Sequence, residues 1–148
     1  MTRYQPIAIF LLRIVTAFNF LSAVAGRLGF WGGTMQEKWD DFIAYTSKVN
    51  SFAPASMAPF LGTAATIIEV IIALLLLIGY KTRLAALSGS ILTLLFFLTM
   101  SISFGMQIPM NYSVLVDCTS ALLLATMPAY RWSVDEMLAQ KKLAYAHE

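Results

Sequence analysis

Four side chains in this sequence are of types that do chemistry and stand inside apolar runs: Arg13, Asn19, Glu69 and Asp117. A lone charge at the centre of a bilayer costs at least about 2.5 kcal/mol, so such groups pair with one another or mark a ligand, ion or proton site. The simplest pairing is Arg13 with Glu69, an ion pair that fixes helix register. Two acids then face one buried base. The second carboxyl is left to be protonated, to draw on Arg27 at the outer end of the first apolar run, or to bind something. Two chemistries follow. The cluster is either a structural ion-pair network or the polar end of a site for a small hydrophobic ligand, with Asn19, Glu69, Asp117 and Arg13 supplying hydrogen bonds and a proton source.

Metal chemistry has little to build on. The chain has one cysteine, Cys118, and one histidine, His147, so no internal disulfide, C-x-x-C pair or Cys/His zinc set is expected. Any redox cofactor must be diffusible, with quinone the candidate, or carried by a partner. Cys118 points about 100° away from Asp117 around a helix and reads as a small packing residue.

The elements that position these groups are membrane spans. Of 148 residues 59% are hydrophobic and only 12% charged, where a soluble domain carries about a quarter charged residues. Mean hydropathy is +0.72. A net charge of +2 without a basic stripe makes nucleic acid an unexpected partner. About 20 apolar residues cross a bilayer as a helix, and four stretches qualify: 7–25, 59–80, 84–104 and 112–127. The expected fold is an all-α, antiparallel bundle of four transmembrane helices in one domain. Ala23-Val24-Ala25 resembles a signal-peptidase site. Arg13 and Asn19 are not what a discarded leader needs, so the first span is expected to be retained.

Each span carries one face unsuited to lipid. Thr16 and Asn19 lie within about 120° of Arg13 on the helical wheel. Gly62, Thr66, Glu69 and Ala73 line the second span; Ala86, Gly89, Ser90 and Thr93 the third; Ser113, Asp117, Ser120 and Leu124 the fourth. Small residues let helices approach and hydroxyls bond across the contact, so these faces are expected to point inward. At about 1.5 Å per residue, Glu69 and Asp117 fall roughly 15 Å from the inner ends of their spans, Asn19 roughly 18 Å and Arg13 roughly 9 Å. The four can share one layer if the Arg13 side chain reaches upward.

Lysine and arginine set the orientation. Arg3, Lys81, Arg83, Arg131, Lys141 and Lys142 fall on one side, against Arg27, Lys38 and Lys48 on the other, which puts both termini in the cytoplasm. The outer loop 26–58 contains a capping box, Thr34-Met35-Gln36-Glu37, and an amphipathic pattern over 35–49 that suits a helix on the membrane surface. That helix either clips two spans together or lids an outward-facing cavity. Arg27, Trp31 and Trp39 are the candidates for the entrance of such a cavity. A second capping box, Ser133-Val134-Asp135-Glu136, starts a short cytoplasmic helix over 134–145.

Several of these pieces together resemble the DoxX family of small four-helix membrane proteins. They are Leu11-Leu12-Arg13, the run from Phe20 to Gly32, and Glu69 followed by Leu74-Leu75-Leu76-Leu77-Ile78-Gly79 and Thr82-Arg83-Leu84-Ala85-Ala86. The closing Pro128-Ala129-Tyr130-Arg131-Trp132-Ser133-Val134-Asp135 is similar to the family's Gly-Pro-Gly-Arg-aromatic-Ser-x-Asp ending, with Met127 and Ala129 in place of the glycines. The resemblance implies a four-helix bundle in the bacterial inner membrane and a loosely defined function. Some members are quinone-linked, like the membrane subunit of thiosulfate:quinone oxidoreductase, and others accompany redox or detoxifying partners. The chain has neither the partner domain nor the extra cysteines of the thiosulfate-oxidising type, so that activity is not carried over.

The functional expectation is a DoxX-like membrane protein that binds a small hydrophobic ligand at the Arg13, Asn19, Glu69 and Asp117 cluster, or closes those charges into a network. The alternative is a quinone-binding membrane subunit of an oxidoreductase, supplied with electrons by a redox partner protein. A small proton-coupled transporter is the third reading and would need a homo-oligomer. The lipid bilayer is the one partner common to all three.

Overall fold

The computed structural model describes residues 3–145, for Tyr145 the backbone alone; His147 lies outside them. The chain forms helices α1 (Gln5–Arg27), α2 (Met35–Val49), α3 (Ala58–Ile78), α4 (Thr82–Phe104), α5 (Gln107–Asn111), α6 (Val114–Ala125) and α7 (Val134–Tyr145), with a 3-10 turn Ala55–Met57 leading into α3. Pro6 and Pro59 sit in the first turns of α1 and α3, where a missing N–H costs nothing. Three helical stretches are long and apolar enough to cross a membrane: Gln5–Arg27, Ala55–Ile78 and Thr82–Phe104.

The fourth apolar stretch departs from expectation. In place of one helix over 112–127 there is a short helix α5, a left-handed residue at Ser113 (φ 57°), and a helix α6 of 12 residues. Twelve residues rise about 18 Å, well short of a hydrocarbon core of about 30 Å. At the break the Ser113 carbonyl accepts the Val116 and Asp117 N–H groups at 2.9 and 3.1 Å, which starts a new helix.

Helices α1, α3, α4 and α6 close into a ring, each touching the next. The small-and-polar faces of α3 and α4 do point inward: Gly62, Thr66, Glu69 and Ala73, and Ala86, Gly89, Ser90 and Thr93, are all buried. The face of α6 is different. Cys118, Ala121, Leu124 and Ala125 are buried, whereas Asp117 and Ser120 are half-buried and Ser113 is exposed. The small side chains at 118, 121 and 125 let α6 close on α4, with Cys118 Sγ 3.4 Å from the Ser90 carbonyl. That contact turns the Asp117 side toward the flank. The contiguous apolar core is built around Phe20, Ile72, Leu76, Ala86 and Leu124.

The end of the bundle that holds the α3–α4 turn is tied by the tail. Asp135 accepts the Lys81 and Thr82 N–H groups at 2.8 Å each, capping α4 from another part of the chain, and its own N–H reaches the Gly79 carbonyl at 3.0 Å. Gly79 has φ 68°, and a side chain there would collide with Arg13 Nη1 and Ser133 Cβ. The α3–α4 turn therefore needs glycine for conformation and for room.

At the other end α2 lies over α1, α3 and α4. Its capping box is complete: Glu37 N–H donates to the Thr34 hydroxyl at 3.3 Å and Thr34 N–H to the Glu37 carboxylate at 3.2 Å. Gly62 admits it. A Cβ at that position would stand 2.8 Å from Ile43 Cδ1 and 3.0 Å from Phe42 Cε1.

Candidate functional site

Glu69 projects from the middle of α3 and is 2% exposed. Its partner is Arg27, not Arg13. Arg27 Nη2 donates to Glu69 Oε1 at 3.0 Å, Nη1 pairs with Oε2, and Nη1 also donates to the Thr66 hydroxyl at 3.0 Å. Thr66 shares the Glu69 face because three residues make nearly one turn. Arg27 is the last residue of α1, where a cation suits the helix dipole. Its guanidinium carbon lies 4.2 Å from the centroid of the Phe42 ring of α2, close enough for a cation–π contact. Ion pair, hydroxyl and ring thus join three helices.

Arg13 stands fourteen residues before Arg27 on α1, in its first half. It is 2% exposed and donates from Nη2 to the Trp132 carbonyl at 2.7 Å. Phe10 lies against it, edge-on to the Trp132 ring. Its Nε and Nη1 have no hydrogen-bond partner among the described residues, and Asp135 is the opposite charge acting on it. The expected Arg13–Glu69 pair fails on depth. Arg13 is level with Gly79, and Glu69 is ten residues back along α3, about 15 Å away. The side chain turns toward the tail instead.

Asn19 and Asp117 form a third, separate group. Asn19 is exposed on α1, Asp117 is half-buried on α6, and the two side chains face each other across the α1–α6 contact. No hydrogen bond joins either to Glu69 among the described residues. The single polar layer expected from depth is therefore three sites: Arg13 with the tail, Arg27 with Glu69, and Asn19 with Asp117.

Beside the Arg27–Glu69 pair is a cavity of about 710 Å³, inside the roughly 300–1,000 Å³ range of small-molecule pockets. It lies between the α2-facing halves of α3 and α4 and against α2. Arg27 and Phe42 form one end; Ala65 and Ile68 of α3 and Leu92 and Leu95 of α4 form the walls. Most of its lining is apolar. Tyr45 lines it on the α2 side, stacked near Phe104 with ring centroids 5.9 Å apart. Burial, helped by the neighbouring Tyr112, pushes the Tyr45 hydroxyl above its ordinary pKa of 10.0, so it stays neutral at physiological pH.

Of the three entrance candidates, Arg27 lines the cavity from within. Trp31 and Trp39 do not line it. Trp31 donates its indole N–H to the Ser22 carbonyl at 3.1 Å, packing back on the end of α1, and Trp39 packs on Phe42. Sequence reasoning did not assign cavity roles to Phe42, Tyr45 and Ala65. The apolar side of the amphipathic 35–49 pattern held a signal for the first. Nothing in the periodicity marks the gap beside Ala65.

The DoxX family model matches residues 8–102, well over half of the chain, and includes α2, α3 and most of α1 and α4. No curated protein and no solved structure matches the chain.

Proposed function

The chain belongs to the DoxX family, and from that premise we propose that it binds a small, largely hydrophobic molecule in the cavity between α2, α3 and α4, with the Arg27–Glu69 pair as the polar end. The observation that carries this reading is the pairing of a mostly apolar space of about 710 Å³ with a buried ion pair whose arginine lines it. Ligand pockets combine those two things: apolar walls for affinity and a few placed polar groups for orientation. A network built only to hold helices together needs no space beside it.

The membrane arrangement that goes with this reading has four spans. In it α5 and α6 together make the fourth, α2 lies at the outer surface over the cavity, and both termini are cytoplasmic in a bacterial inner membrane. The Lys and Arg distribution supports the orientation. Above Ser113, α5 adds about 7.5 Å to the short α6.

A quinone is the specific ligand favoured by one further observation. The cation-bearing Phe42 ring and the Tyr45 ring, next to an arginine donor, suit a flat head with carbonyl oxygens. Under that reading a redox partner protein supplies electrons.

The test is native mass spectrometry of the protein in a mild detergent, followed by organic extraction, beside Glu69→Gln. A defined bound molecule in the parent protein and its loss in a variant that still folds supports the ligand site. An empty, stable parent protein would leave Glu69 as a structural partner of Arg27.

A further inference from the structure

We propose that the cavity takes an uncharged, membrane-dissolved molecule whose head offers a hydrogen-bond acceptor to Arg27, and that it arrives sideways between Ile68 and Leu95. The proposal rests on the ligand reading above and adds the class of the ligand and its route.

The head is fixed by charge balance. Arg27 and Glu69 already neutralise one another, and Glu69 is 2% exposed. An anionic head would compete for the guanidinium and leave a desolvated carboxylate without a counter-charge, a costly arrangement in a low-dielectric site. A cationic head would meet Arg27 first, since Arg27 and not Glu69 lines the cavity. A neutral acceptor disturbs neither partner. Donors remain for it. A guanidinium has five N–H groups, and Arg27 uses Nη1 and Nη2 on Glu69 and Thr66, with no hydrogen bond from Nε among the described residues. Thr46 and Thr99 are spent on their own helices, donating to the Phe42 carbonyl at 2.8 Å and to the Phe96 carbonyl at 3.1 Å. A carbonyl or ether oxygen therefore finds Arg27 as its donor at the polar end, and the Tyr45 hydroxyl on the α2 side.

The route follows from what is open. Ile68 is 43% and Leu95 52% exposed, on the flank where α3 and α4 meet hydrocarbon, and both line the cavity. On the loop side Thr46 and Val49 of α2 are buried, and the Ser103 hydroxyl donates to the Val49 carbonyl at 2.6 Å, pinning the end of α2 onto α4. Phe52 and Met57 beyond that point also line the cavity and are 62% and 43% exposed. A molecule already dissolved in the bilayer meets the Ile68–Leu95 flank first. A hydrocarbon tail too long for the cavity leaves between Ile68 and Leu95 without meeting water.

The experiment uses the full chain in phosphatidylcholine nanodiscs and two matched photolabels, a diazirine-bearing palmitic acid and its methyl ester, at about pH 9, where the free acid is ionised. Labelled residues are located by peptide mass spectrometry. The ester is expected to label the Leu61–Ile68 and Leu92–Leu95 segments at least roughly tenfold more than the acid, and Leu95→Trp, which narrows the gap, is expected to slow that labelling severalfold while native mass spectrometry shows it still folded. Equal or stronger labelling by the acid overturns the neutral-head class and leaves cavity binding standing. Unchanged labelling in Leu95→Trp overturns the sideways route. No labelling of either segment by either probe overturns the ligand reading itself.

Discussion

The Glu69 carboxylate is met by Arg27 at the C-terminal end of α1, while Arg13, fourteen residues earlier on the same helix, reaches the Trp132 carbonyl beside the α3–α4 turn. One helix therefore uses its two arginines for two jobs. Arg27 closes the wall of a cavity, and Arg13 anchors the tail. Removing one partner of a buried pair leaves the other charge uncompensated, typically about 3–5 kcal/mol, whereas replacing both with apolar residues of similar size is often neutral. Glu69→Ala is accordingly expected to lower thermal stability in detergent by several kcal/mol, and Arg27→Met with Glu69→Leu to recover most of the loss. Equal damage from the single and double variants would show that the pair is not the coupled unit described.

Gly79 is expected to tolerate no side chain. Gly79→Ala forces a left-handed alanine, about 1 kcal/mol or more, and drives Cβ into Arg13 and Ser133. The tail should come loose first. Limited proteolysis should cut the segment from Pro128 to Ser133 in the variant and spare it in the parent protein.

Asp135 makes a specific prediction at residues far from it in sequence. Asp135→Ala removes the acceptors for the first N–H groups of α4, a cap worth about 0.5–2 kcal/mol. Amide exchange at Lys81 and Thr82 should quicken, with exchange in the middle of α4 unchanged.

The start of α2 should respond to acid. The Thr34 hydroxyl and backbone N–H hold the Glu37 carboxyl below its ordinary value of 4.5. A depressed folded pKa contributes stability that is whole above the unfolded value and is lost as pH falls through the folded one. The Thr34 amide should therefore stay protected at pH 4.5 and above and open as the pH drops further. Glu37→Gln should abolish that pH step, as followed by hydrogen exchange corrected for the intrinsic rate.

Much of the architecture was legible because helical periodicity reports faces. The stripes through Glu69 on α3 and Gly89 on α4 are buried as their small residues require, and the Thr34–Glu37 box begins α2. Depth was harder. The wheel places Asn19 about 120° from Arg13, and that turn is enough to carry it off the buried face to the flank. By span length alone, Arg27 falls at the outer end of the first span. Yet α1 ends level with Thr66, eight residues below the start of α3 at Ala58, about 12 Å deep in the bundle, and α2 fills the notch above it. The break at Ser113 has no proline or glycine to announce it. The cavity is a property of the space between α3 and α4, and no single stretch of residues encodes it.

The most direct test fills that space without touching the ion pair. Ala65 lines the cavity on α3, one turn from Glu69, and Ala65→Phe should occupy it. Bound lipophilic molecule per chain would be measured by organic extraction and mass spectrometry of the purified parent protein and of Ala65→Phe. The expected result is a defined molecule in the parent protein and little or none in the filled variant, with thermal stability retained. An empty parent protein, or the same molecule at the same occupancy in Ala65→Phe, would contradict a ligand site between α2, α3 and α4.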